Sequence, residues 1–242
     1  MASVAIIVPF RLQSGQHRDK ELRIFLSHMK HKMDNLVKNH KIIKYHIYII
    51  NQSRRKKFNR GMLLNIGFLL TKERYDTFIF HDVDLLPGGD IMNWYSLIPK
   101  NVVHIANCWR DRYNGDKYLG GIVSFNKETF EKINGYPNTF WGWGGEDDAL
   151  SYRCHLNQIS PAKVVFGTIT DIETNSSGNT MNLEEKLKVL RSNPEWKCND
   201  KWEQRDNDKF NWKRNGVQQV GSKYKLEDWI AEGDHTTIYV SI

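Results

Sequence analysis

Cysteine is scarce in this 242-residue chain: only Cys108, Cys154 and Cys198 occur, far apart and with no C-x-x-C pair. An odd, scattered set argues against a disulfide framework and against a zinc ribbon, and it fits a reducing compartment. Long apolar runs are missing too. The opening "MASVAIIVPFRLQSG" is too short in its apolar part for a signal-peptide core or a bilayer span, so it reads as a first β-strand. The expectation is a chain with no membrane span, cytoplasmic or otherwise soluble as given. Neither a G-x-x-x-x-G-K-[ST] loop nor a G-x-G-x-x-G turn after a strand is present, which excludes the usual NTPase and dinucleotide sites. G-x-S-x-G and H-E-x-x-H are absent as well. With no internal repeat and no low-complexity linker, one domain over residues 1–242 is the simplest organisation, and that length buries a sizeable core without staples.

Positive charge is plentiful, at net +7 with a pI near 9.2, which suits an anionic partner without choosing one. The densest basic run, "RRKKFNR" from Arg54 to Arg60, is by default a solvated loop. Hydrophobic periodicity supplies the elements. Val4 to Pro9 reads as a strand, and Leu22, Phe25, Leu26, Met29, Met33 and Leu36 recur at helical spacing. A strand at Lys44 to Ile50 follows, then a helix from near Asn59 carrying Met62, Leu63, Ile66, Leu69 and Leu70, then a strand at Asp76 to Phe80. This alternation predicts βαβ units and a parallel sheet in the first third of the chain.

Further on the pattern becomes mixed α/β. Strands are expected at Val102 to Ala106, Gly120 to Phe125 and Ala162 to Thr170, with helices at Lys127 to Asn134 and from Asp148 to about His155. The charged stretch from Asp171 to Gly216 has the weakest core signal, with one helix at Leu183 to Arg191 in an otherwise loop-rich region. Gly221 to Leu226 and Thr236 to Ile242 read as closing strands.

Two stretches carry chemistry. The third strand runs into "HDVDLLP", so Asp82 and Asp84 leave the carboxyl edge of a parallel sheet, where open α/β folds hold ligands. Where the strand gives way to a turn, one carboxylate can face a metal and the other a ribose or an anchoring donor. Hard oxygen ligands favour Mg²⁺ or Mn²⁺ on a diphosphate, which points to a nucleotide-linked substrate. The plainer reading of the same residues is an Asp-rich turn before Pro87 and Gly88. The second stretch is "FWGWGGEDDALSYR", Phe140 to Arg153, in which Glu146, Asp147 and Asp148 offer a base while tryptophan faces offer a wall for a sugar ring. Its plainer reading is an acidic helix start, favoured by the helix dipole, with Trp141 and Trp143 as core.

The blocks "VPFR", "FNRGMLLNIGF", "HDVDLLP" and "YLGGIVSFNKETFEKINGYPNTFWGWGGEDDAL", in this order, resemble the β1,4-galactosyltransferase family over roughly residues 4 to 173. "GVQQVGSKYKL" is a weaker echo of its C-terminal region. The resemblance implies a GT-A type α/β fold, a mixed and mostly parallel central sheet with helices on both faces. It divides the domain into a nucleotide-binding half, about residues 1–90, and an acceptor-binding half, about 91–242. It implies inverting, metal-dependent transfer of galactose from UDP-galactose to a hydroxyl of a carbohydrate acceptor. Pro9, Phe10, Arg11, Phe58, Arg60, Asp82, Val83, Tyr118 and Trp143 match donor-side positions, and Tyr118 stands where an aromatic goes with galactose. Asp147 matches the catalytic base, with Gly145, Glu146 and Asp148 on the acceptor side. Asp84 matches the metal ligand for Mn²⁺, with Mg²⁺ as second candidate. A departure falls at the family's metal-binding histidine, whose place is taken by Glu173, with Thr170 where some members carry methionine. A second departure is the lack of the membrane anchor typical of Golgi members, so a Golgi lumen is expected only for a trimmed catalytic domain.

Two other readings stand beside this one. The first is a sugar- or UDP-sugar-binding protein of the same fold whose turnover is weakened by the change at Glu173. The second is a nucleic-acid binder using the basic run, disfavoured because its stacking tryptophans are flanked by three acids that repel phosphate. No nucleic-acid partner is expected.

Overall fold

The computed structural model describes residues 1–12, 17–53, 56–113, 118–174, 177–194, 197–198 and 200–242; Arg54 and Arg55 of the basic run lie outside them. Strands and helices alternate at first: β1 (Ala2–Phe10), α1 (Arg18–Lys38), β2 (Ile42–Gln52), α2 (Arg60–Thr71) and β3 (Thr77–His81). β1 lies between β2 and β3 and runs parallel to both. Its residues are all buried, as in a strand covered on both faces. Val4, Ile6 and Val8 meet Phe25, Met29 and Met33 of α1 in one core, while Ala5 and Ile7 meet Leu63 and Ile66 of α2 in the other. That split is the two-residue alternation of a strand expressed as two cores.

The remaining elements are β4 (Leu85–Pro87), β5 (Val102–His104), α3 (Arg110–Tyr113), β6 (Ile122–Asn126), α4 (Lys127–Lys132), α5 (Glu146–Leu156), β7 (Ala162–Lys163), β8 (Ile169–Asp171), α6 (Leu183–Ser192), α7 (Lys201–Asn211), α8 (Val217–Val220), β9 (Lys225–Glu232) and β10 (His235–Ser241). The main sheet has the order β7-β5-β6-β3-β1-β2-β10-β9, and β4 pairs with β8 in a small second sheet. β6 runs antiparallel to β3 and β5, and β9 antiparallel to β10, so the sheet is mixed and mostly parallel. This is the α/β architecture expected. Among the described residues no helix is long and apolar enough to cross a membrane.

Three local expectations need correction. The single strand at Ala162 to Thr170 is two short ones in different sheets, β7 beside β5 and β8 beside β4. Gly167 breaks it at φ +146°, packed so close to Ile91 that a Cβ could not fit, and Phe166 is left 85% exposed. The closing strand expected from Gly221 starts at Lys225 and runs to Glu232, every residue exposed, so no burial alternation marks it. In the charged stretch α6 appears as expected, with a capping box between Asn182 and Glu185, but α7 was not foreseen. α7 is held by the interior: Arg153 of α5, fully buried, pairs with Asp208 at 2.6 Å and donates to the carbonyls of Asn134, Gly135 and Asn215.

Candidate active site

The carboxyl ends of β1 and β3, the start of α2 and the start of α5 converge on a cavity of about 410 Å³. Every residue named above as a donor-side, acceptor-side, catalytic or metal-binding candidate lines it. Local sequence explains the convergence. Asn59 caps α2, accepting from the Met62 N–H at 3.0 Å and donating to the Asn138 carbonyl, which places Arg60 as the first helical residue at the cavity. Gly61 follows because a Cβ there would stand 2.7 Å from the Pro137 carbonyl oxygen. Gly145 enters α5 at φ +103°, where a Cβ would strike the Phe140 ring at 2.5 Å. Glu146, Asp147 and Asp148 then fill the first turn of α5, favoured by its dipole.

Arg60 organises one side of the cavity. Its Nε donates to Asp82 Oδ1 at 2.8 Å and its Nη1 to Asp147 Oδ1 at 2.8 Å, with Glu146 Oε1 at 3.7 Å. One guanidinium thus serves three acids. Burial pushes the Asp147 carboxyl well above the ordinary aspartate range; Arg60 opposes this, and the charges of Glu146, Asp82 and Asp148 add to the rise. Burial likewise raises Glu146 and Asp82, again against Arg60. Among the described residues Glu146 Oε2 is buried with no hydrogen-bond partner, and Arg60 Nη2 and the Tyr136 hydroxyl are buried with none of full geometry, an unmet polar capacity on this wall.

The other side is built differently. Asp84 points away from Asp82 and joins Asp171 and Glu173, whose ligand oxygens and its own all lie within 4.8 Å of one another. An all-carboxylate donor set fits a hard divalent cation such as Mn²⁺ or Mg²⁺. Side-chain cations surround it. Arg18 contacts Asp84 at 3.2 Å, Glu173 at 2.9 Å and Glu21 at 2.9 Å; Arg112 contacts Asp171 at 2.7 Å; Lys186 contacts Glu173 at 2.7 Å and Asp171. Burial alone would raise Asp84, but Arg18, Lys186 and Arg112 outweigh it and hold the carboxyl well below the usual range.

Around these two sides stand the other candidates. The Arg11 guanidinium lies over the Phe58 ring at 5.6 Å, beside Pro9 and Phe10 at the end of β1. Tyr118 donates its hydroxyl hydrogen bond to the Arg112 carbonyl, and the following Leu119 N–H bonds the Asp147 carbonyl at 3.2 Å, which ties this wall to the base. Trp143 is 39% exposed at the rim, with Lys201 Nζ 5.6 Å from its ring centre, so it is no core residue. Trp141 packs on the edge of the α2-side core, closer to the plainer reading.

The sequence pattern does not name the lining residues Arg18, Arg112, Lys186 and Lys201, nor Asp171, the third carboxylate of the cluster. Two of them had a legible signal. Asp171 stands two residues before Glu173, the same side of an extended chain. Lys186 sits at helical spacing among Leu183, Leu187 and Leu190, a charge inside an apolar stripe.

Comparison with known proteins places this geometry among relatives. A family model described as the N-terminal region of glycosyl transferase group 7 matches residues 1–97, and one described as the N-terminal domain of galactosyltransferase matches residues 100–175. Beta-1,4-galactosyltransferase 4 of Mus musculus is 40% identical over 195 residues, 78% of this chain and 53% of the relative. Beta-1,4-galactosyltransferase 2 of Cricetulus griseus is 40% identical over 172 residues, 68% of this chain and 44% of the relative. The chain spans about half the length of the curated relatives it matches. The catalytic domain of Drosophila β1,4-galactosyltransferase 7 in complex with xylobiose superposes with a TM-score of 0.72 at 27% identity, covering 100% of this chain and 94% of that one. A mutant of that enzyme, in complex with manganese, UDP-Gal and xylobiose, gives a TM-score of 0.71 at 25% identity over the same coverage.

Proposed function

The chain belongs to the glycosyltransferase group 7 family of galactosyltransferases, and from that premise we propose that it transfers galactose from UDP-galactose to a hydroxyl of a carbohydrate acceptor with inversion, as one catalytic domain. The observation that carries the reading is the pairing of two unlike acid groups in one site, an Asp147 with raised proton affinity and, apart from it, a cluster of three carboxylates ringed by side-chain cations. Asp147 takes the proton of the acceptor hydroxyl as that oxygen attacks the anomeric carbon and the bond from that carbon to UDP breaks. A base tuned upward by burial is closer to the proton it removes, which favours general-base work near neutral pH. Arg60 orients Asp147 and Asp82 through one planar fork. Pro9, Phe10, Arg11 and Phe58 receive the nucleotide, Val83 and Tyr118 the donor sugar, and Gly145, Glu146 and Asp148 the acceptor, with Trp143 as the apolar face.

Asp84, Asp171 and Glu173 would hold the divalent cation, Mn²⁺ first and Mg²⁺ second; when bound it supplies positive charge to the departing diphosphate. The test is UDP release from UDP-galactose with a panel of sugar acceptors, with and without Mn²⁺, beside Asp147→Asn. Acceptor-dependent release that the variant loses supports the reading; equal release by the variant removes Asp147 from the role of base. A second reading, binding of the sugar nucleotide without turnover, draws on the side-chain cations that cover the metal carboxylates. Donor binding without any UDP release would select it.

A further inference from the structure

Lys186 is a buried lysine on a surface helix. Its side chain is 2% exposed, on the α6 face that also turns Leu183, Leu187 and Leu190 to the cavity. A leucine at 186 would complete that apolar stripe at lower desolvation cost, so the ammonium needs a reason to be there. Its contacts give one: Nζ lies 2.7 Å from Glu173 Oε2 and also meets Asp171 Oδ2. Arg18 covers the same cluster from α1, reaching the other oxygen of Glu173 at 2.9 Å and Asp84 at 3.2 Å. Each of the three carboxylates that fit a divalent ion is therefore already paired with a cation of the chain. Three acids this close repel one another when nothing neutralises them. An ion bonded to Asp171 and Glu173 and an ammonium bonded to the same two groups cannot both keep full contact, since like charges at such separations repel strongly in a buried site.

We propose that Lys186, seconded by Arg18, is the resident counter-cation of the metal cluster: it holds Asp171 and Glu173 together when no divalent ion is bound and competes with that ion for them. The inference rests on the Mn²⁺ site put forward under Proposed function. Metal binding is then a cation exchange, and its affinity is set by how firmly α6 holds the lysine against the two acids. The acid that stands in place of the family's histidine and the lysine opposite it form one device.

The experiment is Mn²⁺ titration of the full chain without substrate, following the paramagnetic resonance signal of free Mn²⁺, so that no activity enters the readout. Lys186→Met is expected to bind Mn²⁺ at least about tenfold more tightly than the unaltered protein, because an opposing charge has been removed. Lys186→Arg, which keeps the charge, should stay within a few-fold of it, and Arg18→Gln should tighten binding as Lys186→Met does. A merely structural lysine gives the opposite sign, weaker binding with a lower melting temperature. Should Lys186→Met not fold, Lys186→Gln and Arg18→Gln carry the same prediction. If these variants bind equally or more weakly while Asp84→Asn strongly weakens binding, the counter-cation falls and the metal site stands. If Asp84→Asn leaves Mn²⁺ binding intact, the metal site falls and takes this inference with it.

Discussion

The two acid groups of the cavity differ in one respect that decides their chemistry. On the α5 side Asp82, Glu146 and Asp147 share a single guanidinium, Arg60, and all three are raised. On the β8 side Asp84, Asp171 and Glu173 have Arg18, Arg112 and Lys186, and Asp84 is lowered. Burial works the same way on both sides. The single cation of the α5 side therefore leaves Asp147 a proton acceptor, while the several cations of the β8 side hold Asp84 low. Residue type alone cannot tell them apart, because each holds two aspartates and one glutamate.

The largest expected effect comes from removing the acceptor. Asp147→Asn keeps shape and loses basicity, and kcat should fall by about 10²–10⁴, the usual worth of a general base. The same change at Asp84 should act through metal binding and be eased by higher Mn²⁺. If high Mn²⁺ restored Asp147→Asn instead, the division between the two sides would be wrong.

Next in size is Arg60→Met. It leaves three acids around an empty place, and breaking such a pair costs about 3–5 kcal/mol when fully buried. Asp82 and Asp147 keep about a quarter of their side-chain exposure, so the loss should lie near the lower end. A melting curve measures it. The pH profile sharpens the contrast. Asp147 must be ionised to act, and its proton affinity is raised, so kcat/KM should fall as pH drops through a midpoint above the ordinary aspartate value of about 4. Arg60 opposes that rise, so the midpoint should move further up in Arg60→Met and less in Arg60→Lys. A midpoint at the ordinary value, unmoved by either change, would mean that the base is not in this group.

Much of this was legible from the residues. β1, α1, β2, α2 and β3 follow hydrophobic period because each buries a face, and a buried face leaves a pattern. Asp82 and Asp84 would share a face on an extended chain; they diverge because the chain turns between them, the Leu85 N–H bonding the Asp82 carbonyl. The strand over Ala162 to Thr170 misled because its apolar residues Val165 and Phe166 face outward around Gly167. α7 gave no stripe, since its one buried residue is Asp208, held by Arg153 from far along the chain. The cations of the metal side were missed for a related reason. Arg18, Arg112 and Lys186 come from three helices, and no spacing in one dimension announces a meeting in three.

Smallest in expected effect is Lys201→Met, which probes where the α5 group ends. Lys201 Nζ lies 3.7 Å from Asp148 Oδ2 and over the rings of Trp143 and Trp202 at 5.6 and 5.2 Å. The pair keeps about a quarter of its exposure, so it is worth about 0–1 kcal/mol, and cation–π contacts at exposed sites add about 0.5–1 kcal/mol. Lys201 touches Asp148 and the rim tryptophan but not Asp147. Acceptor KM should therefore rise by a few-fold at most, with kcat and the acid midpoint of the pH profile unchanged. A fall in kcat of more than about tenfold, equivalent to about 1.4 kcal/mol, would show that Asp148 and its lysine belong with the base. The group would then hold four acids and two cations, and the contrast with the metal side would narrow to a difference in geometry.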